Sequence, residues 1–161
     1  MGRGRSPQLS RQPGRSIGIV TRDVILDANV IVSAQLVQHP LAPPFRLFVA
    51  ALGGPIQNHV SPQLLDEYRG VLLRPSVARR HGLSPSEVHQ VVEVVRRFAI
   101  ELSPPRSLVA APDANDQHVW DMLAAYHELM LVTGDPPLLA SRDFPGRILS
   151  PRDFVDRFLA T

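Results

Sequence analysis

The feature that most constrains this chain is a succession of short β-prone runs separated by helix-length stretches, several opened by a Ser-Pro pair. Residues 24–26, 56–60, 129–132 and 148–149 read as strands. Residues 43–52 carry helical apolar spacing and stop at Gly53-Gly54, a helix-ending signal. Ser61-Pro62 reads as an N-cap followed by a first-turn proline, opening a helix to about Leu73. Ser84-Pro85-Ser86-Glu87 repeats the device with Glu87 placed for a capping box, and that helix is expected to run to about Leu102. A further helix is expected from near Asp113–Asp116 to about His127, and a last one after Ser150-Pro151. Strands alternating with helices of this length imply βαβ units and a parallel sheet. Apolar runs without polar alternation, such as Val24-Ile25-Leu26, suit strands buried on both faces. The expected fold is α/β: a three-layer α/β/α domain with a central, mostly parallel sheet.

Charge divides the chain. All 17 basic residues are Arg, and five of them precede the first acid, Asp23. From Asp23 onward 12 Arg face 15 Asp plus Glu, a net of −3. Residues 1–22 are therefore expected to form a disordered basic tail able to touch nucleic-acid phosphates, and residues 23–161 a single domain. With no cysteine there is no disulfide scaffold, thiolate zinc site, Fe–S cluster or Cys nucleophile. No apolar run has the length of a membrane span, and no apolar segment of a signal peptide opens the sequence. The expectation is a cytoplasmic protein with no membrane contact.

Ligands of open parallel sheets bind outside the carboxyl ends of the strands. Asp27 ends the first strand, and Asp135 follows residues 129–132 after a Thr-Gly turn. Helical phase picks out two more acids. Glu67 flanks the apolar stripe of Leu64, Leu65, Tyr68, Val71 and Leu72, whereas Asp66 lies opposite it. Asp116 lies on the side of Val119, Trp120 and Leu123, with Asp121 on the polar side. Asp27, Glu67, Asp116 and Asp135 are thus placed to converge. Four carboxylates repel, so either protonation or a divalent cation must offset their charge. An all-oxygen set suits Mg2+ or Mn2+, which polarise phosphoryl oxygens and acidify water. Each acid also has a local alternative: Asp27 or Asp135 shaping a turn, Asp116 capping a helix, Glu67 pairing with an Arg.

Four segments resemble the PIN-domain nucleases. Val24-Ile25-Leu26-Asp27-Ala28-Asn29, continuing to Ser33, is similar to the family's opening strand and its Asp-x-Asn. Ser61 to Tyr68 carries Glu67 where the family has a helical acid. Pro112-Asp113-Ala114-Asn115-Asp116 is similar to the third acidic motif, and Leu131-Val132-Thr133-Gly134-Asp135 to the fourth. The likeness covers about residues 23–156. It implies a Mg2+- or Mn2+-dependent endoribonuclease cleaving single-stranded RNA, most like the VapC-type toxins of bacterial toxin–antitoxin pairs. By position, Asp27, Asp116 and Asp135 would be metal ligands and Glu67 would complete the acidic set. Asn29, Ser33 and Thr133 would support them by hydrogen bonds. Two features depart from the pattern: Asp113 competes with Asp116 as third ligand, and Pro136-Pro137 stands where toxin-like members commonly have a charged residue.

Arg69, Arg74, Arg79, Arg80 and Arg142 are candidates to hold RNA phosphates, with solvated surface positions the alternative. The apolar groups of residues 37–48, read as extended, and the Val-rich helix around Val91–Val95 could serve a homodimer, a cognate antitoxin or the core. The six histidines show no zinc spacing; His118, two residues from Asp116, is expected in a surface or core role, and Trp120 in the core. A dehalogenase-type phosphatase needs a second Asp where Asn29 stands, and a receiver domain needs a Lys that this chain lacks. A catalytically silent PIN-like binding module and a structure-specific DNA nuclease remain as alternatives.

Overall fold

The computed structural model describes residue 9 and residues 21–160. The expected disorder of residues 1–22 falls, up to residue 20 and apart from residue 9, outside the described residues. Arg22 does not belong to a tail: it begins the first strand, β1 (Arg22–Leu26).

Five strands form one all-parallel sheet in the order β3-β2-β1-β4-β5. β2 is Ile56–Val60, β3 Ile100–Glu101, β4 Met130–Val132 and β5 Ile148–Leu149. Helices flank the sheet, giving the three-layer α/β/α fold. The chain runs outward from β1 to β3, then returns to β4 on the other side of β1. The carboxyl ends of β1 and β4 therefore form the topological switch point, where open parallel sheets take their ligands.

Local chemistry explains the helix boundaries. Ser61 caps α3 (Pro62–Leu72) by accepting from the Leu64 N–H at 3.0 Å. Ser84 and Glu87 form the reciprocal capping box of α5 (Pro85–Phe98), and Ser150 caps α8 (Pro151–Phe154). The helix α2 (Pro43–Ala51) ends at Gly53, whose φ is +91°; at Gly54 a Cβ would stand 2.7 Å from the Ala50 carbonyl oxygen. Glycine is required for both reasons.

Several boundaries differ from the sequence reading. Helix α5 stops at Phe98 rather than near Leu102, because Ile100–Glu101 leave it to pair with β2. The helix after Asp116, α6 (Gln117–Ala125), ends two residues early. Three helices were not anticipated: α1 (Ala28–Val37), directly after β1, α4 (Pro75–His81), and the single turn α7 (Pro136–Leu139) after Asp135. Residues 37–48 are not extended but span the α1 end, a turn and α2. Helix α8 is also a single turn, continued by a π-helical turn, Val155–Leu159.

Trp120, Tyr68, Phe154 and the apolar residues of β1 lie fully inside. Trp120 packs edge-on to Phe144 and gives its N–H to Asp143 at 3.0 Å, so it serves the core. Val88, Val92 and Val95 are buried, which assigns that face of α5 to the core as well. Among the described residues no helix is long and apolar enough to cross a membrane.

Candidate active site

The site begins with where the fold puts its acids. Asp27, Asp116 and Asp135 each occupy the N-cap position of a helix, α1, α6 and α7 respectively. At Asp27 and Asp116 the N–H groups of the first helical turn favour negative charge, whereas after Asp135 the residues Pro136 and Pro137 have no N–H to offer. Glu67 reaches in from the second turn of α3, half-buried, while Asp66 points outward and pairs with Arg69 at 3.2 Å.

Asp27 is the buried member. Its Oδ1 accepts from the Ala28 N–H at 2.9 Å. Its Oδ2 accepts from the Thr133 hydroxyl at 2.7 Å and the Asn29 amide at 3.3 Å. Asn29 in turn accepts from the Gly134 N–H at 3.0 Å, and Thr133 Oγ1 from the Asp135 N–H at 3.0 Å. One hydrogen-bonded knot therefore joins the end of β1, the start of α1 and the turn after β4. Below it, Tyr68 donates to the Leu26 carbonyl, and Asn58 accepts from the Leu26 N–H at 3.0 Å. Ser33, one turn beyond Asn29, is half-buried and makes no hydrogen bond to the acids among the described residues.

The four acids feel one another. Burial raises the Asp27 carboxyl above its ordinary value, the hydrogen bonds from Thr133 and Ala28 oppose this, and the charge of Asp135 adds to it. Burial, with the charges of Asp27 and Asp116, pushes Glu67 up to about 7. Burial, with Asp27, Asp113 and Asp135, pushes Asp116 up to about 6. Asp27 and Asp116 thus lie within electrostatic reach of Glu67 on one side and Asp135 on the other. Asp113 is exposed and spends its carboxylate on the Asn115 N–H at 2.9 Å, capping the 3-10 turn Ala114–Asp116. Asp116 is the half-buried acid of that segment, and its side chain makes no capping bond.

Beside the acids opens a cleft of about 860 Å3, lined among others by Glu67, Gln63, Arg74, Arg106, Asn115 and His118. Arg74 offsets the charge of Glu67. Arg79, Arg80 and Arg142 are exposed, and none of the three lines this cleft. Two lining residues stand out beyond the sequence-derived site. Arg106, from the loop after β3, had no motif to mark it. His118, two residues past Asp116, binds Ser61 Oγ through Nδ1 at 2.7 Å and brings Nε2 to 3.9 Å from Glu67 Oε2.

The donor set is oxygen-only and strained by its own charge, which fits a hard divalent cation. Among the described residues no three His, Asp or Glu side chains are placed together closely enough to hold a metal ion.

Comparison with known families agrees with this layout. The PIN domain model matches residues 23–136, from the first strand past the Thr-Gly-Asp turn. No curated protein matches the sequence. That match supports nuclease-type chemistry, hydrolysis of phosphodiester bonds with the aid of divalent metal, on a nucleic-acid substrate. The chain belongs to the PIN domain family.

Proposed function

We propose that the protein is a Mg2+- or Mn2+-dependent endoribonuclease acting on single-stranded RNA, with its nuclease domain spanning residues 23–161. The observation that carries this reading is the set of acids gathered at the sheet's switch point: one Thr133 hydroxyl joins Asp27 to the Asp135 N–H, and burial together with the charge of Asp27 raises both Glu67 and Asp116. Carboxylates kept this close for structural reasons alone would be a net cost.

Asp27, Asp116 and Asp135 would hold the ion, with Glu67 completing the set; bound there, Mg2+ or Mn2+ would supply Lewis-acid polarisation of a phosphoryl oxygen and a more acidic water. The chain's own part is orientation. Thr133 and Asn29 fix the Asp27 carboxylate, and the Asp135 N–H anchored on Thr133 sets the second acid relative to the first. Arg74, whose charge offsets Glu67, and Arg106 both line the cleft and hold the RNA backbone there. RNA is favoured over branched DNA because the longest connection among the described residues, 102–113, is too short for a duplex-gripping insertion.

The resemblance to VapC-type proteins further suggests the toxin of a toxin–antitoxin pair, working in the cytoplasm. Exposed Val37, Leu41 and Val49 offer an apolar face for a cognate antitoxin or a second copy.

The test is cleavage of labelled single-stranded RNA and of matching DNA, with Mn2+ or EDTA, by wild type and Asp116→Asn. RNA cut only with Mn2+ and only by the wild type supports the reading. Preference for DNA moves it to a DNA nuclease. Neither cleavage nor a Mn2+-induced rise in melting temperature leaves a silent binding module.

A further inference from the structure

The contact between His118 and Ser61 ties the helix bearing Glu67 to the helix that follows Asp116. Ser61 Oγ already accepts from the Leu64 N–H at 3.0 Å as the cap of α3. A hydroxyl has one hydrogen to give, and the acceptor that the described residues offer it is His118 Nδ1 at 2.7 Å. The ring also hydrogen-bonds the backbone carbonyl of Asn115; with Ser61 as the donor to Nδ1, the proton of the neutral imidazole sits on Nε2. That nitrogen lies 3.9 Å from Glu67 Oε2. Such contacts are often long in a free enzyme and tighten in the reacting complex. The ring is mostly buried, with 12% of its side chain exposed, so it does not compete with solvent for this arrangement.

We propose that His118 is a positioning residue of the nuclease site: Ser61 sets its tautomer so that Nε2–H faces Glu67 and holds that carboxylate toward Asp27 and Asp116. The proposal rests on the metal-dependent reading above and extends it to a residue outside the four acids. Groups that orient metal-binding carboxylates commonly cost about 10–100-fold in metal affinity or activity when removed.

A pair of substitutions separates this role from that of a simple strut. His118→Gln places an amide N–H where Nε2 stands, facing Glu67, but gives up the bond to Ser61. His118→Asn keeps an acceptor near Nδ1, facing Ser61, but falls short of Glu67. Mn2+ titration of the metal-free proteins and steady-state cleavage of single-stranded RNA are measured on both, with the His118 tautomer read from the 15N shifts of the wild-type ring.

The expected result is an Nε2–H tautomer, with Mn2+ affinity and kcat falling by about 10-fold or more in His118→Asn while KM for RNA holds. His118→Gln is expected to lose clearly less. A strut reverses the order of the two variants, and that order, an Nδ1–H tautomer, or equal Mn2+ affinity in wild type and His118→Asn overturns this proposal alone. Failure of the wild type to bind Mn2+ overturns it together with the metal-dependent reading.

Discussion

Thr133 Oγ1 stands 2.7 Å from Asp27 Oδ2 and 3.0 Å from the Asp135 N–H, so one hydroxyl joins the acid that ends β1 to the acid that follows β4. Replacing it by the near-isosteric Val leaves a buried carboxylate short of its best donor. A hydrogen bond to a charged group contributes about 1.5–3 kcal/mol. Thr133→Val is therefore expected to lower stability by about that much in urea unfolding and to slow cleavage, while Thr133→Ser retains both. A Val variant as stable as wild type would show that the bond is idle.

Asp116→Asn separates stability from chemistry. The amide removes one charge from a group that already raises its neighbours, so the metal-free variant should melt higher than wild type. In a chain of this size each kcal/mol relieved is about 2–4 °C. The same change should abolish both cleavage and the rise in melting temperature on adding millimolar Mn2+. Differential scanning calorimetry with and without Mn2+ checks both halves.

The raised carboxyls give stability a definite pH slope. Asp116 and Glu67 keep their protons up to about 6 and about 7 in the folded protein, against 3.8 and 4.5 ordinarily. Between these limits the native state binds more protons than the unfolded one, so stability falls as pH rises. Metal-free protein should thus lose stability from about pH 4 to pH 7, through these groups, and Mn2+ should restore it most at the upper end. Metal affinity should climb over the same interval, because binding must expel those protons. Unfolding free energy measured in EDTA across this range tests the sign.

Arg74 and Arg106 should act through backbone charge. For single strands, log K falls with log salt by about 0.7 for each phosphate neutralised. The double substitution to Ala is expected to flatten that slope by about 1.4 for an uncleavable RNA analogue. Arg79→Ala, whose side chain does not line the cleft, serves as the comparison.

Asp27, Asp116 and Asp135 were legible in the sequence because each sits where a strand stops or a helix starts, and such ends leave recognisable marks such as Leu-Asp after an apolar run or Thr-Gly-Asp; Glu67, inside α3, was picked out by helical phase instead. Helix α1 was not legible. Its Val30-Ile31-Val32 looks like a strand, and Ala28, Val30, Ile31, Val32, Ala34 and Gln35 are all buried, so no polar face gave it a period of 3.6. Strand β3 escaped for the opposite reason: two residues cannot establish a period, and Leu102 seemed to continue α5. Asp113 and Asp116 could not be separated by spacing. A 3-10 turn assigns Asp113 to local capping, which leaves Asp116 half-buried and within the field of Asp27 and Asp135. His118 was read as a lone histidine, since its partner Ser61 is 57 residues away.

The central claim is that Asp27, Asp116 and Asp135 share one divalent ion. Crystals grown with Mn2+ and measured at the manganese absorption edge test it most directly. The expected result is an anomalous peak within oxygen-ligand distance of all three carboxylates, lost in Asp116→Asn. A peak elsewhere, or none at a Mn2+ concentration that supports cleavage, would contradict it.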